Sequence, residues 1–250
     1  PEMGIRDSTK PAPVTMDQED VAFIFRQRDL TSAPVVNSHG QLIGVITIDD
    51  IVDVIHEEHE EDIMRLAGVG EEDDLYDAVV KTTMSRFSWL FLHLVCAMTA
   101  AYVISLFQVE IEQLVVLAVL MPVVATMGGA ASVQALTVSV RGIAMKEVNP
   151  SNTIRTIGKE AMVGLLNGLI FALMISIISW FWFGSVALGV VIAMAIMINL
   201  FVAGLSGSAL PILLQKMGYD PAVASSAFLT SITDIVGFYV FLGLGAIVLL

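Results

Sequence analysis

Five long apolar segments constrain the fold of this chain more than any other feature of its sequence. Each is close to the roughly 20 residues that an α-helix needs to cross the hydrocarbon core of a bilayer. The segments run from Trp89 to Phe107, Ile111 to Val140, Ala161 to Phe183, Val186 to Leu214 and Ala222 to Leu250. The sequence therefore predicts an α-helical polytopic membrane protein whose five transmembrane helices, within residues 88–250, contact the lipid bilayer.

The charged residues are concentrated ahead of these segments. Of the 25 acidic residues behind the net charge of −13, 19 lie at or before Phe87. Such an acidic surface repels phosphate, which argues against nucleic acid as a partner and favours cations. We find no nucleophile paired with a base and no phosphate-binding glycine loop, so we do not expect an enzyme.

The loops between the apolar segments carry basic residues in two places only. Arg141, Lys146, Arg155 and Lys159 follow the second segment, and Lys216 follows the fourth. Because positively charged loops stay in the cytoplasm, the N-terminal domain is predicted to be cytoplasmic and the C-terminus to lie outside. The expected location is the cell (inner or plasma) membrane.

Residues 1–55 alternate short apolar runs with turn-forming residues. The pattern predicts a helix at Val21–Phe25, strands at Ala33–Val36 and Leu42–Ile48, and a second helix that begins at Asp49. Acidic residues at the start of that helix suit the positive end of its dipole. We therefore expect a small N-terminal α/β domain.

Residues 56–87 are predicted to form an acidic connecting helix and a linker. The acidic residues are interleaved with a thin apolar face made of Met64, Leu66, Ala67 and Val69. A purely solvated segment would not keep such a face, so a helix at the membrane surface is the better prediction. The alternative reading, an acidic helix that is merely solvated, stays open.

Asp234 is the sharpest single signal of function. It lies about 13 residues into the last apolar segment, which is roughly 20 Å along a helix and near mid-membrane. A carboxylate there costs at least ~2.5 kcal/mol on insertion scales, and no Lys or Arg lies within any segment to pair with it. We expect Asp234 to face a water-filled path. The alternative is a protonated Asp234 hydrogen-bonded to Ser or Thr inside the bundle.

The second apolar segment is interrupted by Pro122 and by Gly128-Gly129, which predicts a break in the helix. A break would free backbone carbonyls to line a pore, and oxygen ligands of this kind suit Mg²⁺ and Ca²⁺. The alternative is close helix packing through small residues, as in Gly128, Ala131 and Ala135.

The stretch Gly44-Val45-Ile46-Thr47-Ile48-Asp49-Asp50 resembles the second half of a CBS domain, which reads as Gly-apolar-apolar-Thr-x-x-Asp. CBS domains usually work in pairs, so the resemblance implies that this is the second of a pair and that upstream sequence is missing. It also implies, weakly, that the domain binds ATP through Thr47 and Asp50.

Three further motifs, Met121–Gly129, Lys216–Ala222 and Thr233–Gly237, together resemble MgtE-type magnesium channels. The resemblance implies a homodimer whose pore lies on the two-fold axis between the second and fifth membrane helices, with Asp234 holding hydrated Mg²⁺. One departure is Ala130, which stands where the family often has asparagine, so any role of that side chain is absent here.

The same resemblance assigns a sensing role to acidic residues before the membrane segments. In the family, cytosolic Mg²⁺ binds carboxylates of the CBS domain and of the following plug helix, and the pore closes. The matching residues are Asp50, Asp53, Glu58, Glu61 and Asp62, with Asp29 and Asp220 as weaker additions. Clustered carboxylates repel one another, and a divalent ion relieves that repulsion and favours the compact arrangement.

Two rival functions stay open at this point. A pore with oxygen ligands also accepts Mn²⁺, Co²⁺ or Ca²⁺. Alternatively, the chain is a membrane receptor that binds nucleotide at its CBS-like domain without conducting ions. The intramembrane Asp234 favours a conducting protein, because a pure anchor has no reason to bear its insertion cost.

Overall fold

A computed structural model describes residues 11–70, 73–221 and 226–250 of the chain. The chain divides into two compact units, and the boundary between them falls between Met64 and Arg65. That boundary and the domain boundary predicted after residue 55 both fall within one helix, Ile48–Ala67.

The first unit is an α/β structure with a three-stranded sheet in the order β1-β2-β3. Strand β1 pairs with β2 in parallel, and β2 pairs with β3 in antiparallel fashion, with an irregularity between Val35 and Val36. The predicted helix and both predicted strands are confirmed. The elements are β1 (Ala12–Pro13), α1 (Gln18–Arg28), β2 (Ser32–Val36), β3 (Leu42–Thr47) and α2 (Ile48–Ala67).

The core of the first unit forms between the two helices and the sheet. Val21, Ala22 and Phe25 lie on one face of α1, because residues three and four positions apart share a helix face. They pack with Ala33 of β2 and Ile51 of α2, both nearly inaccessible to solvent. This packing fixes α1 beside the acidic first half of α2.

In its described part the second unit consists of helices, and five of these are long and apolar enough to cross a membrane, which confirms the predicted class. A short helix, α4, separates the first two membrane helices, where the sequence predicted that the second would start at Ile111. The helices are α3 (Val79–Ser105), α4 (Gln108–Gln113), α5 (Val115–Ala144), α6 (Thr153–Phe183), α7 (Val186–Lys216) and α8 (Ser226–Val248).

Helix α7 lies at the centre of this bundle and packs against α5, α6 and α8. Glycines at the crossings permit the close approach. A Cβ at Gly164 of α6 would overlap the Leu200 carbonyl of α7, and a Cβ at Gly204 of α7 would overlap the Glu160 carbonyl of α6. Membrane helices associate through such small residues because lipid supplies no hydrophobic driving force between them.

The predicted break in the second membrane helix is wrong. Helix α5 is continuous through Pro122, Gly128 and Gly129. Proline lacks one backbone donor, and a membrane helix tolerates that loss when it is packed within a bundle. Gly128 and Gly129 are buried against α7 and α8, where their missing side chains make room for Asn199 and Thr230. Close packing, the alternative reading, accounts for both glycines.

Candidate ion pathway and acidic residues

Asp234 is half-buried in α8, eight residues after Ser226. At 1.5 Å per residue it lies about 12 Å from Ser226, nearer the predicted cytoplasmic end than the roughly 20 Å expected from Ala222. Residues 222–225 fall outside the described part of the chain. Within residues 11–70, 73–221 and 226–250, no hydrogen-bond donor or cation contacts its carboxylate. The alternative reading, an Asp234 held by Ser or Thr of its own bundle, gains no support.

Asp234 lies beside the contact between α5 and α8. One turn before it, Thr230 approaches Gly129 of α5, with 3.1 Å between the Thr230 Cγ2 and a Cβ built on the glycine. One turn after it, Gly237 approaches Val124 of α5, with 2.9 Å between a Cβ built on the glycine and the Val124 Cγ1. At 100° per residue, Asp234 is about 40–60° around the helix from these two contacts. Its carboxylate therefore flanks the seam between the two helices that the resemblance assigns to the pore.

Helix α5 carries an exposed polar stripe along its middle part. Thr126, Gln134 and Thr137 share one face by helical spacing, and all three are exposed. Ala130, which replaces the family asparagine, lies on this same exposed face. Polar side chains in a membrane helix are expected to face protein or water rather than lipid. We therefore expect this stripe to face either a second protein surface or a water-filled path.

A buried residue that the sequence reading missed lies at the crossing of α5, α7 and α8. Asn199 of α7 is 1% exposed, and its Nδ2 donates a hydrogen bond to the Val124 carbonyl oxygen of α5, at 3.0 Å. Its amide also lies against Gly128 and Gly237. An amide side chain in the middle of a long apolar segment was the available signal.

Thr47 and Asp50, the weakly predicted nucleotide residues, bind each other at the start of α2. The Asp50 carboxylate accepts hydrogen bonds from the Thr47 backbone N–H, at 2.9 Å, and from the Thr47 hydroxyl, at 2.8 Å. These two bonds lower the pKa of Asp50 from its ordinary value. The pair stabilises the first turn of the helix in the manner of a cap. Asp50 therefore has a structural role in addition to its predicted sensing role.

Glu58 meets the N-terminal end of α1. The Gln18 side-chain amide donates to the Glu58 carboxylate, and Glu19 lies beside the same carboxylate. Burial is the largest cause that raises the pKa of Glu19, which reaches about 7. The hydrogen bond with Glu58 and the repulsion by the Glu58 carboxylate raise it further, and the negative charges of Asp17 and Asp62 add to the effect. Glu19 was not among the predicted sensor residues, because its closeness to Glu58 depends on how α1 packs on α2.

The other predicted sensor residues are distributed along the first unit. Asp53 is exposed on α2, Glu61 and Asp62 are half-buried further along that helix, and Asp29 ends α1 in a left-handed conformation, with φ of 49°. The described residues contain no group of three or more His, Cys, Asp or Glu side chains that could hold a metal ion. The structure thus brings Glu58 and Asp62 near Glu19 without assembling a complete metal site from the residues that it describes.

Asp220, the weakest sensor candidate, belongs to an ion pair in the second unit. It pairs with Arg65, in the last turn of α2. The next residue, Leu66, packs against the cluster formed by Leu136, Val140 and Leu229, from α5 and α8. The end of α2 thus contacts the ends of the membrane helices that carry the basic loops. The predicted apolar face of the connecting helix is confirmed at Leu66.

An apolar pocket of about 160 Å³ opens in the first unit. Its lining includes Val14, Val35, Ile46 and Val54 from the sheet side and from α2. Neither Thr47 nor Asp50 lines it, and no basic side chain is part of its lining among the described residues. The pocket therefore offers no charged partner for a phosphate, and ATP binding stays a prediction.

These features define a class of protein, namely a polytopic helical membrane protein with a carboxylate beside an interhelical seam and an acidic α/β unit before its membrane helices. Residues 121–244 match the family model of MgtE, described as a divalent cation transporter, and residues 7–57 match that of the CBS domain. The chain belongs to the MgtE family of divalent cation transporters.

Three relatives carry the name magnesium transporter MgtE. The protein from Enterococcus faecalis is 36% identical over 230 residues, which cover 92% of this chain and 51% of the relative. The protein from Bacillus subtilis is 33% identical over 233 residues, which cover 93% of this chain and 52% of the relative. The protein from Thermus thermophilus is 31% identical over 235 residues, which cover 93% of this chain and 52% of the relative. The chain thus spans about half the length of the relatives that it matches.

Proposed function

We propose that this chain conducts Mg²⁺ across the cell membrane, through a pore lined by α5 and α8 in which Asp234 holds the hydrated ion. The observation that carries the proposal is the Asp234 carboxylate, which flanks the α5–α8 seam without a partner among the described residues. A charged group in a membrane helix is costly unless it faces water or an ion. Membership of a divalent cation transporter family supports the same role.

Mg²⁺ is the ion that best fits one carboxylate together with the hydroxyl and amide groups of the proposed pore lining. Mg²⁺ gives up its water reluctantly and is often held by one or two carboxylates through its hydration shell. The exposed α5 side chains Thr126, Gln134 and Thr137 offer oxygen atoms to such a hydrated ion. The names of the three relatives also favour Mg²⁺ over Mn²⁺, Co²⁺ or Ca²⁺.

The functional unit is proposed to be a homodimer. One chain supplies one pore carboxylate, and a two-fold axis would double it and cover the exposed polar stripe of α5 with the same stripe of a second copy. The mass of the protein, corrected for bound detergent, should correspond to two chains. A strict monomer that still conducts would contradict the dimeric pore.

Cytosolic Mg²⁺ is proposed to close this pore by binding the acidic residues of α2, with the first unit in the cytoplasm and the C-terminus outside. The carboxylates of Glu58 and Asp62 already lie near Glu19, so their repulsion opposes a compact arrangement when no cation is bound. A divalent ion removes that opposition. Its binding would then favour the position of α2 that blocks the inner mouth.

The test is cation flux into proteoliposomes that contain the purified protein, with Mg²⁺, Mn²⁺, Co²⁺ and Ca²⁺ compared in parallel. We expect Mg²⁺ flux above that of protein-free liposomes, and larger than the flux of the other three ions. Flux of another ion in preference to Mg²⁺ would change the assigned selectivity. No flux of any ion would favour the nucleotide-binding receptor.

A further inference from the structure

Asn199 occupies an unusual position for an amide, because it is buried in the apolar centre of the membrane unit and its oxygen has no hydrogen-bond partner among the described residues. The side chain is 1% exposed. Its Nδ2 donates to the Val124 carbonyl oxygen, while its Oδ1 has no hydrogen-bond partner within the described part of the chain. Since a carbonyl oxygen accepts only from a donor, the Val124 bond fixes which end of the amide points towards α5.

The space around this amide is kept open by two glycines on two different helices. A Cβ at Gly128 of α5 would overlap the Asn199 amide. A Cβ at Gly237 of α8 would lie 2.7 Å from its Nδ2, which is closer than real contacts allow. The side chain of Asn199 therefore packs against both α5 and α8 at one level and is hydrogen-bonded to α5 at the same level.

That level is one helical turn from Asp234. Gly237 follows Asp234 by three residues, which is about 4.5 Å along the helix axis. The separation of α5 and α8 at Gly128 and Gly237 therefore governs how the Asp234 carboxylate is placed beside α5. A leucine would fill a similar volume without leaving a buried amide oxygen unpaired, so packing alone does not favour asparagine here.

We propose that Asn199 is a positioning residue for cation passage, which sets the spacing of α5 and α8 and thereby the geometry of the site at Asp234. The inference rests on the proposed function, because it requires that cations pass beside Asp234. It adds a residue of α7, a helix outside the proposed pore lining, to the determinants of ion selectivity.

The test compares Asn199→Leu, Asn199→Ala and the control Ser179→Ala in proteoliposomes, with Mg²⁺ and Mn²⁺ flux measured beside melting temperature. Ser179 is a matched control, because its hydroxyl is also buried and unpartnered but lies on α6. Asn199→Ala removes the amide without adding volume, so it introduces no clash with either glycine. The four-cation comparison on the wild-type protein is run first.

For both Asn199 variants we expect Mg²⁺ flux to fall by about five- to tenfold, the factor that corresponds to losing one hydrogen bond. We also expect their Mn²⁺-to-Mg²⁺ flux ratio to change, whereas Ser179→Ala keeps the wild-type ratio. A folded Asn199 variant with wild-type flux and ratio would overturn the positioning role. If the wild type passes another cation instead of Mg²⁺, the same variants are compared with that ion. Absence of all wild-type flux would refute the conducting function and the positioning role of Asn199 together.

Discussion

Arg65, in the last turn of α2, forms an ion pair with Asp220, which follows the end of α7. The two side chains are 24% and 30% exposed, so water screens the pair only in part. Asp220 was a secondary candidate among the predicted Mg²⁺-sensing residues, and its carboxylate already has a cation supplied by the chain itself. The end of α2 is thus held at the membrane unit by a contact that needs no metal.

Loss of the Arg65–Asp220 pair should weaken the hold on α2 and raise Mg²⁺ flux at low cytosolic Mg²⁺. We expect Arg65→Ala to increase that flux by about two- to fivefold, since partly exposed pairs contribute up to ~1 kcal/mol. The measurement is proteoliposome flux with little Mg²⁺ on the side of the first unit. Exchanging the charges, Arg65→Asp with Asp220→Arg, should restore the wild-type value.

Lys159→Ala serves as the control for this experiment, because it removes a different exposed cation, paired with Glu160 at 3.4 Å on α6. Its flux should match that of the wild type. A charge exchange that behaves like the single variant would show that Arg65 acts by some means other than this pair.

The sequence was sufficient for the membrane helices and the small α/β unit, because hydrophobic periodicity and turn residues are local signals. It was insufficient for α5, where Pro122 predicts a break and tertiary packing keeps the helix continuous. The sequence also could not show that Glu19 lies beside Glu58 or that Arg65 pairs with Asp220, because each pair joins residues that are distant in sequence. Asn199 was visible as a polar residue, but its contacts with α5 and α8 follow only from how α7 packs.

Neutralising the pore carboxylate should nearly abolish transport. We expect Asp234→Asn to reduce Mg²⁺ flux by at least about a hundredfold, because it removes the charge that attracts the hydrated ion while keeping the shape of the side chain. Folding should be retained, as judged by an unchanged elution volume in detergent. Glu112→Gln, at an acidic residue outside the five membrane helices, should leave the flux unchanged. Wild-type flux in Asp234→Asn would show that this carboxylate is structural.

Removing acidic residues from α2 should abolish inhibition by cytosolic Mg²⁺. The variant in which Glu58, Glu61 and Asp62 are all changed to Ala lacks the carboxylate repulsion that favours the open pore. It also lacks the ligands through which Mg²⁺ closes the pore, and the loss of these ligands should dominate. Couplings of this kind typically amount to ~1–3 kcal/mol. The measurement is patch-clamp open probability against cytosolic Mg²⁺. A control that changes the exposed Glu57 and Glu60 to Ala should retain inhibition, and identical curves for all three proteins would refute the sensor.

The carboxyl pair of Glu19 and Glu58 should make the contact between α1 and α2 dependent on pH. Because the pKa of Glu19 is raised from 4.5 to about 7, the folded unit binds its proton more tightly than the unfolded chain does. The stability of the first unit should therefore be greatest below about pH 4.5, as far as this group is concerned, and should fall as the pH rises through 7. The measurement is the protection of the α1 amides from hydrogen exchange in the full chain, taken relative to the intrinsic exchange rate at each pH. Glu19→Gln should remove the pH dependence of this protection, because a neutral amide loses no proton. Glu60→Gln, at an exposed position of α2, should keep the pH dependence.

Mg²⁺ should also act on this pair of carboxyl groups. At pH 8, Mg²⁺ should slow the exchange of α1 in the wild type, because it relieves the repulsion between Glu19 and Glu58. It should have less effect at pH 5, where the proton on Glu19 already relieves that repulsion. Equal protection of α1 at pH 5 and pH 8 in the wild type would contradict the pairing of these two carboxyl groups.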